Sequence, residues 1–212
     1  MTPAELQAAQ ANGAVLIDTR PLDAYLAAHL PGGLPLELNL ADLTDRAELF
    51  LPPGLTLVVH AEPDRNVPPS VGLLEDAGFQ VAGHLEGGLR AWRAAGRATE
   101  TQQLIDVEAL HAVPTAYRVL DVREAYEFRH GHLAGAIPFP LGQAWTQSAS
   151  ADGQTAWAGD GAARPLAVFC SGQGRSAFVA AVLRARGIPA LVVVGGMYQW
   201  QQHGYPVVAA PR

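Results

Sequence analysis

The chain has 212 residues, 49% of them hydrophobic and 16% charged, with a formal net charge of −6. That composition supports packed cores and excludes wholesale disorder, and the length suits one large domain or two small ones. The acidic balance argues against a general nucleic-acid binder, and without a basic-then-apolar leader or a run of ~18 apolar residues a soluble, cytoplasmic protein free of membrane contact is expected.

In chain order, Val15–Asp18 is the first apolar run suited to a buried strand, and it leads into Asp18-Thr19-Arg20. A helix holding Tyr25 follows, then His29-Leu30 and Pro35. Residues 55–60 and 81–84 read as two further strands, and Gly87-Gly88 with Trp92 closes the first half. The polar segment 96–103, free of apolar periodicity, reads as a linker between domains 1–99 and 100–212.

The second half restates the first. Leu120-Asp121-Val122-Arg123 ends the strand Arg118–Asp121 at an offset of 103 from Ile17-Asp18-Thr19-Arg20. His132-Leu133 and Pro138 keep that offset, and Tyr126 is taken as the counterpart of Tyr25. Leu166–Phe169 repeats Leu57-Val58-Val59-His60 at 109, and Gly195-Gly196 with Trp200 repeats Gly87-Gly88 with Trp92 at 108. One order with small changes of offset is what duplication followed by loop insertion produces. Helical patterns separate the strands: in 176–186, Phe178, Val179, Val182 and Leu183 share one face. The expected class is α/β, each half a mostly parallel sheet with helices on both sides.

The segment Cys170-Ser171-Gly172-Gln173-Gly174-Arg175-Ser176 lies between a strand and a helix, at the strand end where open α/β sheets bind ligands. Gly172 and Gly174 are expected to take φ > 0, turning successive N–H groups inward as an anion-binding nest. The helix N-terminus adds partial positive charge and Arg175 a full one, so a Cys170 thiolate is favoured. A lone cysteine is more often a small buried hydrophobe; the strand before it and the two-glycine loop after it reverse that balance. Cys170 is therefore the candidate nucleophile, with Ser171, Gly172, Gln173, Gly174, Arg175 and Ser176 as candidate substrate-binding residues. Arg175 has two readings, one aimed at substrate and one paired with a carboxylate to fix the loop. Ser176 reads as a helix cap or first-turn residue.

Cys170 is the only cysteine, which excludes an intramolecular disulfide and a thiolate-rich metal cluster. Only His130 and His132 are close among the seven histidines, and i, i+2 spacing does not share a helix face. No metal and no cofactor are expected. Residues 1–100 carry a net −7 and residues 101–212 a net +1, so the half with the cysteine is less hostile to an anion. The counterpart of Cys170 is Ala61, followed by Glu62, Pro63 and Asp64 with no glycine. The first half is expected to be inactive.

At these residues the chain resembles the rhodanese superfamily. Asp121 to Glu124, Tyr126-Glu127-Phe128 and Gly131 to Ile137 resemble its amino-terminal signature, and Cys170 to Ser176 resembles its active-site loop. Gly195-Gly196 with Trp200 resembles its closing motif; the first half matches through Asp18, Arg20, His29, Gly87, Gly88 and Trp92. The resemblance implies tandem five-stranded domains of a sulfurtransferase, the leading one inactive. It implies transfer of sulfane sulfur from a small anionic donor such as thiosulfate, through a Cys170 persulfide, to cyanide or a thiol. A thioredoxin-like or other sulfur-acceptor protein is an implied partner. Gln173 stands where such loops often have glycine, and the loop lacks the Cys-Gly-x-Gly form of mercaptopyruvate sulfurtransferases. Asp121, Arg123 and His132 read as architectural.

Two rivals remain open. Cdc25-like phosphatases and arsenate reductases share the fold but use C-x5-R, whereas Cys170 to Arg175 is C-x4-R. A sulfur carrier or docking module would need no turnover, and residues 143–164, with Trp145 and Trp157, are a lid, a partner-facing loop or a plain insertion.

Overall fold

The computed structural model describes residues 1–147 and 164–209. The chain divides into two compact units, Met1–Gln102 and Gln103–Arg212. No helix among the described residues is long and apolar enough to cross a membrane.

The first unit runs α1 (Pro3–Ala11), β1 (Val15–Asp18), α2 (Leu22–Ala27), β2 (Leu34–Pro35), α3 (Leu43–Phe50), β3 (Thr56–His60), α4 (Val67–Asp76), β4 (Gln80–His84) and α5 (Gly88–Ala94). Its strands lie in the order β2-β1-β3-β4, every pairing parallel. Helices cover both faces, which is why the central strands β1 and β3 read as unbroken apolar runs with no alternation. Leu6, Leu16, Leu30, Val58, Leu85, Leu89 and Trp92 form a core in this unit. Each buried aliphatic side chain contributes about 1.5–3 kcal/mol.

The second unit runs β5 (Leu104–Asp106), α6 (Val107–Ala112), β6 (Arg118–Asp121), α7 (Ala125–His130), β7 (Ile137–Pro138), α8 (Ala144–Gln147), β8 (Leu166–Phe169), α9 (Gly174–Ala185), β9 (Ala190–Val194) and α10 (Gly196–Gln202). Its strand order, β5-β9-β8-β6-β7, restates the first sheet with one strand added, again all parallel. Two five-stranded sheets were expected; among the described residues the first sheet has four. The position of β5 is occupied in the first unit by Met1, whose amino group donates to His84 O (2.7 Å) while Glu86 N donates to Met1 O (3.0 Å). These two contacts do not extend into a ladder.

The repeat also corrects one pairing. The counterpart of Tyr25 is Phe128, not Tyr126: Tyr25 stacks on His29 (4.1 Å) and Phe128 on His132 (3.7 Å). Both pairs are four residues apart on one helical face, whereas Tyr126 points away and is 59% exposed. The expected linker is held to the first unit, through Trp92 Nε1 to Ala98 O (2.8 Å), the His29–Glu100 bridge and Gln102 N to Leu26 O (3.0 Å). Trp145 lies beside Arg186, whose guanidinium sits 5.3 Å from the ring centroid and donates to Trp145 O. Trp157 and most of the 143–164 insertion lie outside the described residues.

Candidate active site

Cys170 follows β8 directly, and α9 begins four residues later. The intervening turn is seated on α10: Met197 N donates to Cys170 O (2.9 Å) and Tyr198 N to Ser171 O (3.1 Å). That seating depends on Gly196, at φ +54°, where a Cβ would collide with Cys170 O and lie 2.6 Å from Gly172 O. The positive φ expected at Gly172 and Gly174 is absent. It belongs to Gly195 (+83°) and Gly196 (+54°), and a Cβ at either loop glycine would meet nothing within 4 Å. The reason is mechanical. Gly174 already opens the right-handed helix, so the close approach falls on the helix beneath the loop.

Cys170 is 1% exposed, and its thiol lies 3.4 Å from Ser176 Oγ as donor. The Ser176 hydroxyl in turn donates to Gln173 O (3.0 Å), which also accepts from Ala177 N (2.9 Å). Ser176 is thus a first-turn residue of α9, and Gln173 occupies the N-cap position without a side-chain cap. Among the described residues the backbone N–H groups of residues 171–176 meet no hydrogen-bond acceptor. They lie at the N-terminus of a 12-residue helix, where partial positive charge accumulates.

Arg175 takes the second of its two readings. Its Nη1 donates to Glu127 Oε2 (2.6 Å) and its Nη2 to Glu127 Oε1 (2.9 Å), a bidentate pair. Ser171 joins it, donating through Oγ to Glu127 Oε1 (2.7 Å) and accepting from Arg175 Nη2 (2.9 Å). Glu127 also accepts from Glu124 N (2.9 Å) at the head of α7. The Arg175 guanidinium, helped by the Ser171 hydroxyl and Glu124 N–H, outweighs partial burial and holds the Glu127 carboxyl at about 2. Glu127 in turn raises Arg175, with smaller contributions from Cys170 and Glu124. Glu127 belongs to the stretch that carries the resemblance but is not among the sequence-predicted site residues. It lies 48 residues from Arg175, and only the fold brings the two together.

Beneath the loop, Asp121 and Arg123 form a buried bidentate pair (2.7 Å at the closest), and Arg123 Nη2 also donates to Gly131 O (2.8 Å). His132 Nδ1 contacts Phe128 O (2.9 Å). These residues carry architecture, as read from the sequence, and none reaches the thiol.

The matching loop of the first unit is built otherwise. Ala61 is buried and offers no nucleophile. Glu62 folds inward: its Oε1 accepts from Leu89 N (2.8 Å), and its carboxylate lies 3.4 Å from His60 Nε2 and 3.6 Å from Arg20. His60 Nδ1 lies 3.2 Å from Asp18, itself paired with Arg20 at 2.7 Å. Burial would push the His60 imidazole down, but the Asp18 and Glu62 carboxylates together raise it. An open pocket of about 550 Å³ remains, lined by Glu62, Pro63, Asp64, Arg65, Gly87 and Arg90.

The rhodanese-like domain family profile matches residues 2–95 and again 98–203. The thiosulfate sulfurtransferase GlpE of Pseudomonas entomophila (strain L48) is 32% identical over 97 residues, 44% of this chain and 84% of that protein. The HTH-type transcriptional regulator Rv0324 of Mycobacterium tuberculosis (strain ATCC 25618 / H37Rv) is 35% identical over 98 residues, 45% of this chain; the match spans only 42% of the regulator. Among solved structures, a rhodanese-related protein from Thermoplasma volcanium is 30% identical, covering 51% of this chain and 99% of its own, at a TM-score of 0.44.

Proposed function

Because this chain belongs to the rhodanese-like domain family, with one such domain in each half, we propose that it is a sulfurtransferase working through a persulfide on Cys170. The Cys170 thiolate attacks the outer sulfur of a sulfane donor. A new S–S bond forms at Sγ, the donor's own S–S bond breaks, and the electron pair leaves on the inner fragment, sulfite when the donor is thiosulfate. A thiophilic acceptor, cyanide or a thiol, then attacks the outer sulfur of the persulfide and restores the thiolate. One difficult transfer becomes two easier ones.

The observation that carries this reading is the setting of Cys170: a thiol at the end of β8, beside backbone donors at the head of α9 that meet no acceptor among the described residues. Such donors stabilise anionic sulfur as it develops, in thiolate and persulfide alike. The Ser176 hydroxyl, rotated to donate, adds one more. The first unit, with Ala61 at the matching position, takes no sulfur. Engagement of Arg175 by Glu127 also counts against an oxyanion-wrapping phosphatase, which needs that guanidinium for the phosphoryl group. The test is mass spectrometry of the tryptic peptide holding Cys170 after treatment with excess thiosulfate. One added sulfur is expected there or, failing that, after treatment with an organic persulfide; a peptide left unchanged by both donors, with a titratable, accessible thiol, overturns the proposal.

A further inference from the structure

The arginine of the loop is the side chain that would draw a small anionic donor toward Cys170, and the structure engages it elsewhere. Both carboxylate oxygens of Glu127 face the guanidinium, at 2.6 and 2.9 Å, and Nη2 divides its hydrogens between Glu127 and Ser171. The pair is fixed from behind as well, because Glu124 N–H holds Glu127 Oε2 at 2.9 Å. Glu124 adds a second carboxylate whose charge bears on Arg175. A donor approaching a Cys170 thiolate therefore meets one cation against two carboxylates and the nucleophile's own charge. The partial charge of α9, about half a unit, offsets little of that.

We propose that Glu127 is a specificity-determining residue: by neutralising Arg175 it makes the Cys170 site favour organic persulfides, bearing one charge at most on the reacting sulfurs, over dianionic donors such as thiosulfate. The inference rests on the sulfur-transfer reading above. Its chemistry is balanced without an added oxidant or reductant. The Cys170 thiolate attacks the outer sulfur of R–S–SH, a bond forms between Sγ and that sulfur, and the donor's S–S bond breaks while its R–S bond stays intact. The electron pair leaves on the R–S sulfur, which takes up the donor's proton and departs as a thiol.

The experiment compares sulfur loading of the full chain, read as the mass gain of quenched intact protein, from thiosulfate and from 2-hydroxyethyl persulfide. In the wild-type protein the persulfide loads Cys170 faster. Glu127→Gln keeps an oxygen acceptor for Ser171 and Arg175 but removes the charge. In it the ratio of thiosulfate to persulfide rate constants rises about tenfold, the effect of one screened unit charge a few ångströms away. Faster wild-type loading from thiosulfate overturns the proposal, as does a ratio that stays put or falls in Glu127→Gln. A variant that folds but loads from neither donor also overturns it, since Glu127 would then be holding loop shape alone. Wild-type protein that loads from neither donor sinks the sulfur-transfer reading itself, an outcome distinct from the others.

Discussion

The loop after β8 and the loop after β3 sit on the same scaffold and do opposite things with it. Both units bury an Asp-x-Arg pair closed at 2.7 Å, stack an aromatic ring on a histidine four residues later, and place a positive-φ Gly-Gly under the loop. Both also tie the following tryptophan's Nε1 to a backbone carbonyl, Ala98 in one and Pro206 in the other. Against that constancy, Cys170, Ser171, Arg175 and Ser176 stand where the first unit has Ala61, Glu62, Asn66 and Val67, and Glu127 stands where it has Ala24. The cysteine, its first-turn serine and the three-residue network beside it differ together. The first unit fills the space with a carboxylate: Glu62 takes the Leu89 N–H, whose counterpart at Met197 holds the Cys170 carbonyl. A scaffold can thus be duplicated whole while the residues of its loop are exchanged as a set.

The largest effect should come from the proposed nucleophile. Cys170→Ala is expected to abolish sulfur loading and turnover, at least ~10³-fold below wild type, because nothing else in the loop attacks sulfur. Ala61→Cys is expected to create no second site, since its thiol would arrive beside Glu62 with Asn66 in place of Arg175. Sulfur loaded at position 61 of that variant, measured by peptide mass, would break the contrast between the loops.

Next come the glycines beneath each loop. In Gly196→Ala the new Cβ meets backbone carbonyls of Cys170 and Gly172, which cannot swing aside, so a loss of about 2–4 kcal/mol is expected. In Gly88→Ala the obstruction is the end of the Glu62 side chain, with Cδ 2.9 Å away, and that chain can rotate out. The left-handed backbone still costs about 1 kcal/mol there. Urea denaturation of the two variants should rank them in that order. Equal losses would mean that Glu62 is held as rigidly as backbone.

Much of this was legible in the sequence, and the gaps have physical reasons. The parallel α/β class followed from short apolar runs separated by helical periods, and the Asp-x-Arg pairs from their place at strand ends. Cys170 stood out because strand, thiol and helix are contiguous. The Arg175–Glu127 contact spans 48 residues and depends on how α7 lies beside the β8–α9 turn, which no local pattern encodes. A trace was available: at the offset of 103 Glu127 faces Ala24 while its neighbour Phe128 faces the similar Tyr25. The misassigned positive φ has a different cause. Sequence locates glycines but does not say which of them another backbone presses upon.

A third effect separates the units by pH. His60, wholly buried, is raised by its two carboxylates against that burial, so its contribution is complete below its ordinary value near 6.5 and is lost as pH rises through the higher folded value. Burial would raise Asp18, but His60 and Arg20 together lower it; Glu62 is lowered by His60, the Leu89 N–H and Arg20. Their contribution runs the other way, present above about pH 4 and lost below. Stability of the first unit should therefore decline on the alkaline side of neutrality. His60→Phe, which installs the second unit's Phe169, should flatten that decline and also shrink the acid limb, because His60 is the strongest influence lowering Asp18 and Glu62. Denaturation midpoints between about pH 6 and 9 check it, and an unchanged alkaline slope in the variant would assign the titration elsewhere.

The smallest effect is the most exacting test of the loop geometry. Gly172 has no positive φ and open space where a Cβ would go, so Gly172→Ala should change stability by no more than about 0.5 kcal/mol. The same substitution at Gly196 is expected to be severe, and the pair distinguishes a loop that needs its own glycine from one that borrows freedom from the helix below. A loss above about 2 kcal/mol at Gly172 would return the conformational demand to the loop. If stability holds while sulfur loading falls, the added methyl is obstructing the donor and not the backbone, which places the donor's path over Gly172 on its way to Cys170.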